Sequence, residues 1–156
     1  MVTYPTNLKT NTPIFTNINL GDENLDDYDE GTWTPGVTIG AVTDTLTSSR
    51  GRFTRIGDVV YIHGTATFNR LTNTGAIKVT GLPFTSAANN LTVLSFLGSS
   101  GIDQAPPVIP QIGNATTDIT LKSTPAGTAG STVAFSDTHV AASTAVTMDI
   151  SGFYFV

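Results

Sequence analysis

Polar and apolar residues alternate along two long stretches of the chain, 58–68 and 145–155. A period of two is typical of a β-strand with one buried face. We therefore predict that both stretches are strands whose even-numbered side chains face a core. These predicted core positions are Val60, Ile62, Gly64, Ala66 and Phe68 in the first stretch, and Val146, Met148, Ile150, Gly152 and Tyr154 in the second.

Shorter apolar runs, rich in β-branched residues and bounded by Gly, Pro, Asn, Asp or Ser, indicate further strands. No window shows a helical period. Many short strands with regular turns predict an all-β fold, a jelly-roll-like β-sandwich. With the two long stretches, the candidate strands are 32–39, 51–56, 58–68, 76–82, 91–98, 107–112, 117–122, 132–136 and 145–155.

Residues 1–30 differ from the rest, because they lack a clear alternating strand and hold half of the 12 acidic residues. We predict an extended N-terminal anchoring arm at 1–30 and a β-sandwich knob at 31–156. Single apolar residues are spaced along the arm, as is typical of a segment that becomes ordered on a partner. The alternative interpretation is a flexible tail. The candidate anchor residues are Tyr4, Leu8, Ile14, Phe15, Ile18 and Leu20.

Charged residues make up 12% of the 156 residues, which is low for a globular chain. Such a surface is often hidden in an oligomer or covered by neutral polar groups. The net charge of −5 argues against a nucleic-acid partner. Cysteine is absent, which excludes disulfides and thiolate metal sites, and no apolar run is long enough for membrane insertion.

Motifs for catalysis or metal binding are weak. The run Asp22-x-Asn24-x-Asp26 begins like a calcium loop, but its sixth and twelfth positions are wrong, so a solvated charge run is favoured. His63 and His139 are a poor metal set without a further ligand. The knob's acids are scattered Asp residues beside turns, with no nucleophile motif. We expect no cofactor, no metal and no enzymatic activity.

Two groups of residues are candidates for contacts between subunits. Arg50 and Arg52 share one face of a strand and could bind carboxylates of a neighbouring subunit, while a sugar acid or phosphate is the alternative ligand. Phe153 and Phe155 make the second face of the last strand aromatic, which indicates a covering subunit. Trp33 and Tyr61 could stack on sugars, but Trp33 is interpreted as core.

Four short motifs together resemble a module of phage tail fibres, tailspikes and other virion-surface proteins. They are Y-D-E-G-T-W-T-P at 28–35, G-R-F-T-R-I-G at 51–57, G-L-P-F at 81–84 and G-F-Y-F at 152–155. The resemblance implies a homotrimeric β-sandwich knob on the virion exterior, assembled in the host cytoplasm. It does not transfer a receptor, since the loops of such modules vary.

Only about 30 residues precede the resembling region, too few for a long shaft. On that ground we expect a head-decoration or cement protein, attached by its arm to a phage capsid or tail protein. The alternative is a tail-fibre tip or adsorption protein whose loops, rich in Asn, Ser, Thr and Gly, bind a host surface glycan.

Overall fold

The computed structural model describes residues 18–19, 24–25, 28–70, 72–89, 91–102, 108–124, 131–141 and 144–156. Its described residues form fourteen β-strands and one short 3-10 helix, Asp137–His139. No helix among them is long and apolar enough to cross a membrane. The strands are β1 (Ile18–Asn19), β2 (Asn24–Leu25), β3 (Tyr28–Trp33), β4 (Gly36–Ile39), β5 (Val42–Thr43), β6 (Leu46–Ile56), β7 (Val59–Asn69), β8 (Ile77–Thr80), β9 (Thr92–Val93), β10 (Ser95–Ser100), β11 (Val108–Ile112), β12 (Ile119–Ser123), β13 (Val133–Ala134) and β14 (Ala145–Phe155).

The strands build two main antiparallel sheets. The first has five strands in the order β10-β14-β7-β6-β3. The second has the order β5-β4-β8-β12-β11-β9, with β13 also paired to β12. A separate two-stranded sheet joins β1 to β2. The all-β prediction is confirmed, whereas the finer jelly-roll and trimer predictions are not.

The five-stranded sheet is organised around its three longest strands. β6 and β7 form a hairpin whose turn contains Gly57 at φ 57°, a left-handed conformation that glycine adopts without steric cost. β14 then pairs with β7 along eleven residues, from Ala145 opposite Asn69 to Phe155 opposite Val59. The predicted alternation of both strands is confirmed, since their even-numbered positions face inward and, apart from Gly152, are buried.

One core lies between the two sheets, because buried side chains of both sheets form a single hydrophobic cluster. The five-stranded sheet supplies the inward faces of β7 and β14, and the second sheet supplies those of β4, β8, β11 and β12. Large side chains that are almost fully buried include Tyr154, Phe68, Phe135, Ile39, Ile77, Ile112, Ile119 and Leu121.

The predicted strand 32–39 is divided at Thr34–Pro35. Proline has no backbone N–H, so a ladder of hydrogen bonds cannot continue through Pro35 in a central strand. The chain uses this break to pass from β3 in the first sheet to β4 in the second. The predicted strand 91–98 is divided in the same way, into β9 and β10 of different sheets, with buried Leu94 between them.

The expectation that residues 1–30 lack strands is wrong, because β1, β2 and the first half of β3 lie there. β3 starts at Tyr28 and pairs with β6 over six residues, so Asp29 and Glu30 belong to an edge strand. Charged residues are well tolerated at sheet edges, where side chains reach water. The division of the chain at residue 30 stays a prediction.

The predicted strand 132–136 is shorter in the structure, where β13 spans Val133–Ala134, and a polar cluster follows it. After β13 the chain turns into the 3-10 helix, and the Asp137 carboxylate accepts a hydrogen bond from the Gly75 backbone N–H at 2.8 Å. Arg70 Nη1 donates to the backbone oxygens of Asp137 and Val140 at 2.8 and 2.9 Å. These bonds tie the 3-10 helix to the loop after β7.

Candidate functional site

The outer face of the five-stranded sheet, which points away from the core, is the candidate site. Its side chains come from alternate positions of β3, β6, β7, β14 and β10, aligned by the strand pairing. All four residues predicted at a subunit interface, Arg50, Arg52, Phe153 and Phe155, lie on this face and are exposed. The structure therefore brings together two groups that the sequence offered separately.

One end of the outer face is apolar. Tyr61 lies directly opposite Phe153 in the ladder, and their ring centroids are 5.9 Å apart. Phe153 also contacts Phe155 edge-on at 6.0 Å. Exposed fractions are 51% for Tyr61, 46% for Phe153 and 43% for Phe155, so about half of each residue's surface faces solvent.

Two further exposed residues extend this end of the face towards the sheet edge. Ile56 pairs with Val59 on one side and with Tyr28 on the other. We call Tyr28, Ile56, Tyr61, Phe153 and Phe155 the aromatic patch. Tyr28 and Ile56 were not predicted as members, although Ile56 has the same parity as Arg50 and Arg52 on β6. Tyr28 was missed because its strand was not predicted.

The middle of the outer face is basic. Arg50, Arg52, His63 and Thr32 surround an open depression of about 430 Å³. Arg52 pairs with His63 across the ladder, and Thr32 lies on the far side of Arg52. Within the described part of the chain, no hydrogen bond or salt bridge engages either arginine side chain. The depression therefore presents guanidinium groups to a ligand or to another subunit.

Carboxylates lie on both sides of these arginines. Glu30 of β3 accepts a hydrogen bond from the Tyr28 hydroxyl at 2.9 Å, and this contact raises the pKa of Tyr28. On β14, Asp149 accepts a hydrogen bond from the Thr65 hydroxyl at 2.5 Å. The outer face thus carries both signs of charge.

Arg55 lies on the opposite side of β6 from Arg50 and Arg52. Its guanidinium stands over the Phe84 ring at 5.3 Å, and its Nε donates to the Gly57 backbone oxygen at 2.8 Å. Odd and even positions of a strand point to opposite faces, so Arg55 cannot join the outer depression.

Each of these resemblance motifs supplies a side chain that packs inside the protein. Trp33 is 6% exposed, as the core interpretation predicts, and its Nε1 donates to the His63 backbone oxygen at 3.3 Å. Phe53 of G-R-F-T-R-I-G packs edge-on against Phe84 of G-L-P-F, with centroids 5.3 Å apart. These contacts hold the base of the sheet together behind the outer face.

Tyr154 of G-F-Y-F completes this base. Its hydroxyl donates to the Phe84 backbone oxygen at 3.0 Å and accepts from the Phe84 N–H at 3.2 Å. The side chain is fully buried, and this desolvation raises the pKa of Tyr154 to about 12 although the bond to Phe84 opposes the shift.

The two histidines occupy different environments. His63 points outward from β7, whereas His139 stacks on Phe135 with centroids 5.1 Å apart. The Ser136 backbone N–H donates to His139 Nδ1 at 3.1 Å, which requires that nitrogen to be unprotonated. Among the described residues, no group of three or more His, Cys, Asp or Glu side chains could hold a metal ion.

Most of the predicted anchor residues lie outside the described residues, namely Tyr4, Leu8, Ile14, Phe15 and Leu20. Ile18 belongs to β1 and pairs with Leu25 of β2. The candidate calcium-loop residues Asp22 and Asp26 are also outside the described part. The anchoring role of the arm stays a prediction.

Comparison with known proteins gives two similarities and no match to a family model. The chain is 41% identical over 63 residues to a capsule KN4-specific depolymerase of Klebsiella phage K64-1. The aligned stretch covers 39% of this chain and 9% of the depolymerase. The crystal structure of the Dettilon tailspike protein superposes with a TM-score of 0.60 at 18% identity, over 82% of this chain and 24% of the tailspike. The chain shares its fold with part of a phage tailspike.

These similarities correct two expectations. The expectation of no enzymatic activity is contradicted, because a relative with 41% local identity is named a depolymerase. The scattered Asp residues of this chain say nothing about the acids of a whole depolymerase, because the aligned stretch covers only about a tenth of that relative. The head-decoration prediction is not supported either, and the tail-fibre alternative fits better. The short leading segment that favoured decoration carries no weight beside relatives so much longer than this chain.

Proposed function

We propose that this chain is a module of a phage tail protein that meets the host cell surface, of the tailspike or capsule-depolymerase kind. The observation that carries the proposal is the 63-residue stretch 41% identical to a phage depolymerase specific for a bacterial capsule. The tailspike-like fold agrees with it over a larger share of the chain. Host surface polysaccharide is the class of molecule that we propose the tail protein engages.

Within that role we propose a homotrimeric knob on the virion surface, tied to a neighbouring phage protein by the N-terminal arm. The chain's low charge content and its exposed aromatic patch support self-association. The arm's apolar residues, which include Ile18 and Leu20, are proposed to contact the phage partner.

Antibody labelling of intact virions in the electron microscope tests the location. We expect label at the tail, and the same antibody absorbed with purified protein should give none. Label confined to the head would overturn the tail assignment.

Deletion of residues 1–24 tests the arm. The deletion leaves β3–β14 intact, so we expect a cooperative melt close to that of the full chain. Incorporation into virions, measured by immunoblot of purified particles, should fall below a tenth of the wild-type level. Normal incorporation of the shortened chain would show that the arm is not the attachment.

A further inference from the structure

We propose that copies of this chain associate through the outer face of the five-stranded sheet, with the aromatic patch as the apolar part of the contact. The inference deepens the proposed homotrimer and rests on it. The occupant of the face is a second copy of the chain.

The patch is continuous, because its members are cross-strand neighbours. One row runs Tyr28, Ile56, Val59 and Phe155 across four adjacent strands. The pair of Tyr61 and Phe153 lies on the same face two residues further along. Contiguous exposed apolar surface of this kind marks an interaction site, whereas single exposed apolar residues need no explanation.

The patch does not consist of core residues that have been left exposed. The residues between its members already face inward, since Val60 and Tyr154 are fully buried. Tyr61, Phe153 and Phe155 therefore point outward because the strand period requires it, and they contact one another. These three side chains could face the core only if their strands shifted register by one residue, and that shift would expose the present core positions.

The size of the face fits a stable subunit contact. Strands β6, β7 and β14 each have 11 residues, a length of roughly 36 Å at 3.3 Å per residue. Because β3 and β10 have only six residues each, five strands spaced about 4.8 Å apart give a face of roughly 700 Å². Stable protein interfaces bury about 800 Å² on each partner.

The chemistry of the face favours a second copy over a polysaccharide. Its apolar end combines Ile56 with phenylalanines that lack polar atoms, and apolar surface of this kind is typical of contacts between identical subunits. The face also supplies both halves of an ion pair, since Arg50 and Arg52 lie between Glu30 and Asp149. A rotated copy can place carboxylates against arginines that have no partner among the described residues.

Light scattering on the purified full chain tests the surface. We expect the wild type to have the mass of three chains of 16.3 kDa at micromolar concentration. The double variant Phe153→Ser and Phe155→Ser should have the mass of one chain. A matched double variant, Val42→Ser and Leu91→Ser, removes two exposed apolar side chains outside this face and should keep the wild-type mass.

Far-UV circular dichroism and a cooperative melt show whether each variant is folded. Tyr61→Thr serves as a second test, because threonine suits a strand and removes only the exposed ring. The dissociation constant for self-association of the Tyr61→Thr variant should rise at least tenfold. A folded patch variant that kept the mass of three chains would overturn the surface while leaving the homotrimer intact.

Two other outcomes also count against the inference. A wild type with the mass of one chain would overturn the proposed homotrimer itself. If Arg50→Gln with Arg52→Gln kept the wild-type mass but lost binding to oligogalacturonate, the face would be a site for acidic saccharide. Lys78→Gln with Lys122→Gln is the charge-matched control, because both lysines lie on the second sheet.

Discussion

Gly51→Ala offers a sharp test of how Trp33 is held in the core. The three atoms nearest to a Cβ built on Gly51 all belong to the indole of Trp33, and Cδ1 and Cε2 would be 2.6 Å away. Carbon atoms in contact normally stay about 3.5–4.0 Å apart, so the ring would have to move. We therefore expect Gly51→Ala to destabilise the fold through Trp33 alone.

The magnitude follows from two opposing effects. Overpacking a core costs about 1–3 kcal/mol. Alanine restricts the unfolded chain more than glycine does, which stabilises a compatible site by about 0.4–1 kcal/mol. Gly51 lies within β6 and is not among the described residues with positive φ, so its backbone accepts alanine. The expected net loss in the free energy of unfolding is about 1–2 kcal/mol.

A double-mutant cycle isolates the cause. In a Trp33→Leu background no indole lies over Gly51, so only the effect on the unfolded chain remains and Gly51→Ala should stabilise the fold by about 0.4–1 kcal/mol. The coupling between the two positions should then equal the overpacking cost, about 1–3 kcal/mol. Gly113→Ala is the control, because its added Cβ would meet only Thr116 Cγ2, at 3.9 Å. An equal cost of Gly51→Ala in both backgrounds would refute the reasoning.

Urea unfolding followed by far-UV circular dichroism is the appropriate assay for this cycle. Trp33 is the only tryptophan, so fluorescence would be lost in the Leu background. All variants must be compared at one protein concentration, because the proposed self-association would add a concentration-dependent stabilisation.

Two further predictions concern the core face and the base of the sheet. Ile62→Asp should abolish the cooperative melt, because Ile62 is buried and an unpaired carboxylate there costs several kcal/mol. Thr32→Asp, on the exposed outer face, should retain the melt. The reverse result would contradict the assignment of the two faces. Tyr154→Phe leaves the Phe84 backbone groups without their partner and should cost about 1–3 kcal/mol in urea unfolding. Because the pKa of Tyr154 rises to about 12 from 10.0, its contribution is complete below pH 10 and is lost between pH 10 and 12. The Phe variant should therefore show a smaller alkaline loss of stability than the wild type, and an identical alkaline loss would contradict this account.

The strand faces were predictable because alternation is a local property. Each even-numbered position of β7 and β14 can be assigned inward from the sequence of that strand alone. Strand breaks were harder to predict, because Pro35 permits the chain to change sheets but does not require it. β3 and β4 belong to different sheets because they pair with different strands, and those partners are distant in sequence.

The candidate site was predictable in parts but not as a whole. The parity of Arg50 with Arg52, and of Phe153 with Phe155, indicated that each pair shares a face. That both pairs share the same face follows from β6 pairing with β7 and β7 with β14. Strand pairing between residues about 90 positions apart leaves no local signal, so the patch emerged only in the structure.

The motifs that carry the resemblance contain both core residues and residues of the proposed contacts. Trp33, Phe53 and Tyr154 lie on the inner side of their strands, where they fix the packing of the base. Arg52 and Phe153 are their neighbours in sequence but point the opposite way. The inward residues of these motifs indicate a shared fold, whereas their outward residues are available for contacts. What this module binds should therefore be sought at the odd positions of β7 and β14 and the even positions of β6, where substitutions can alter association without disturbing the core.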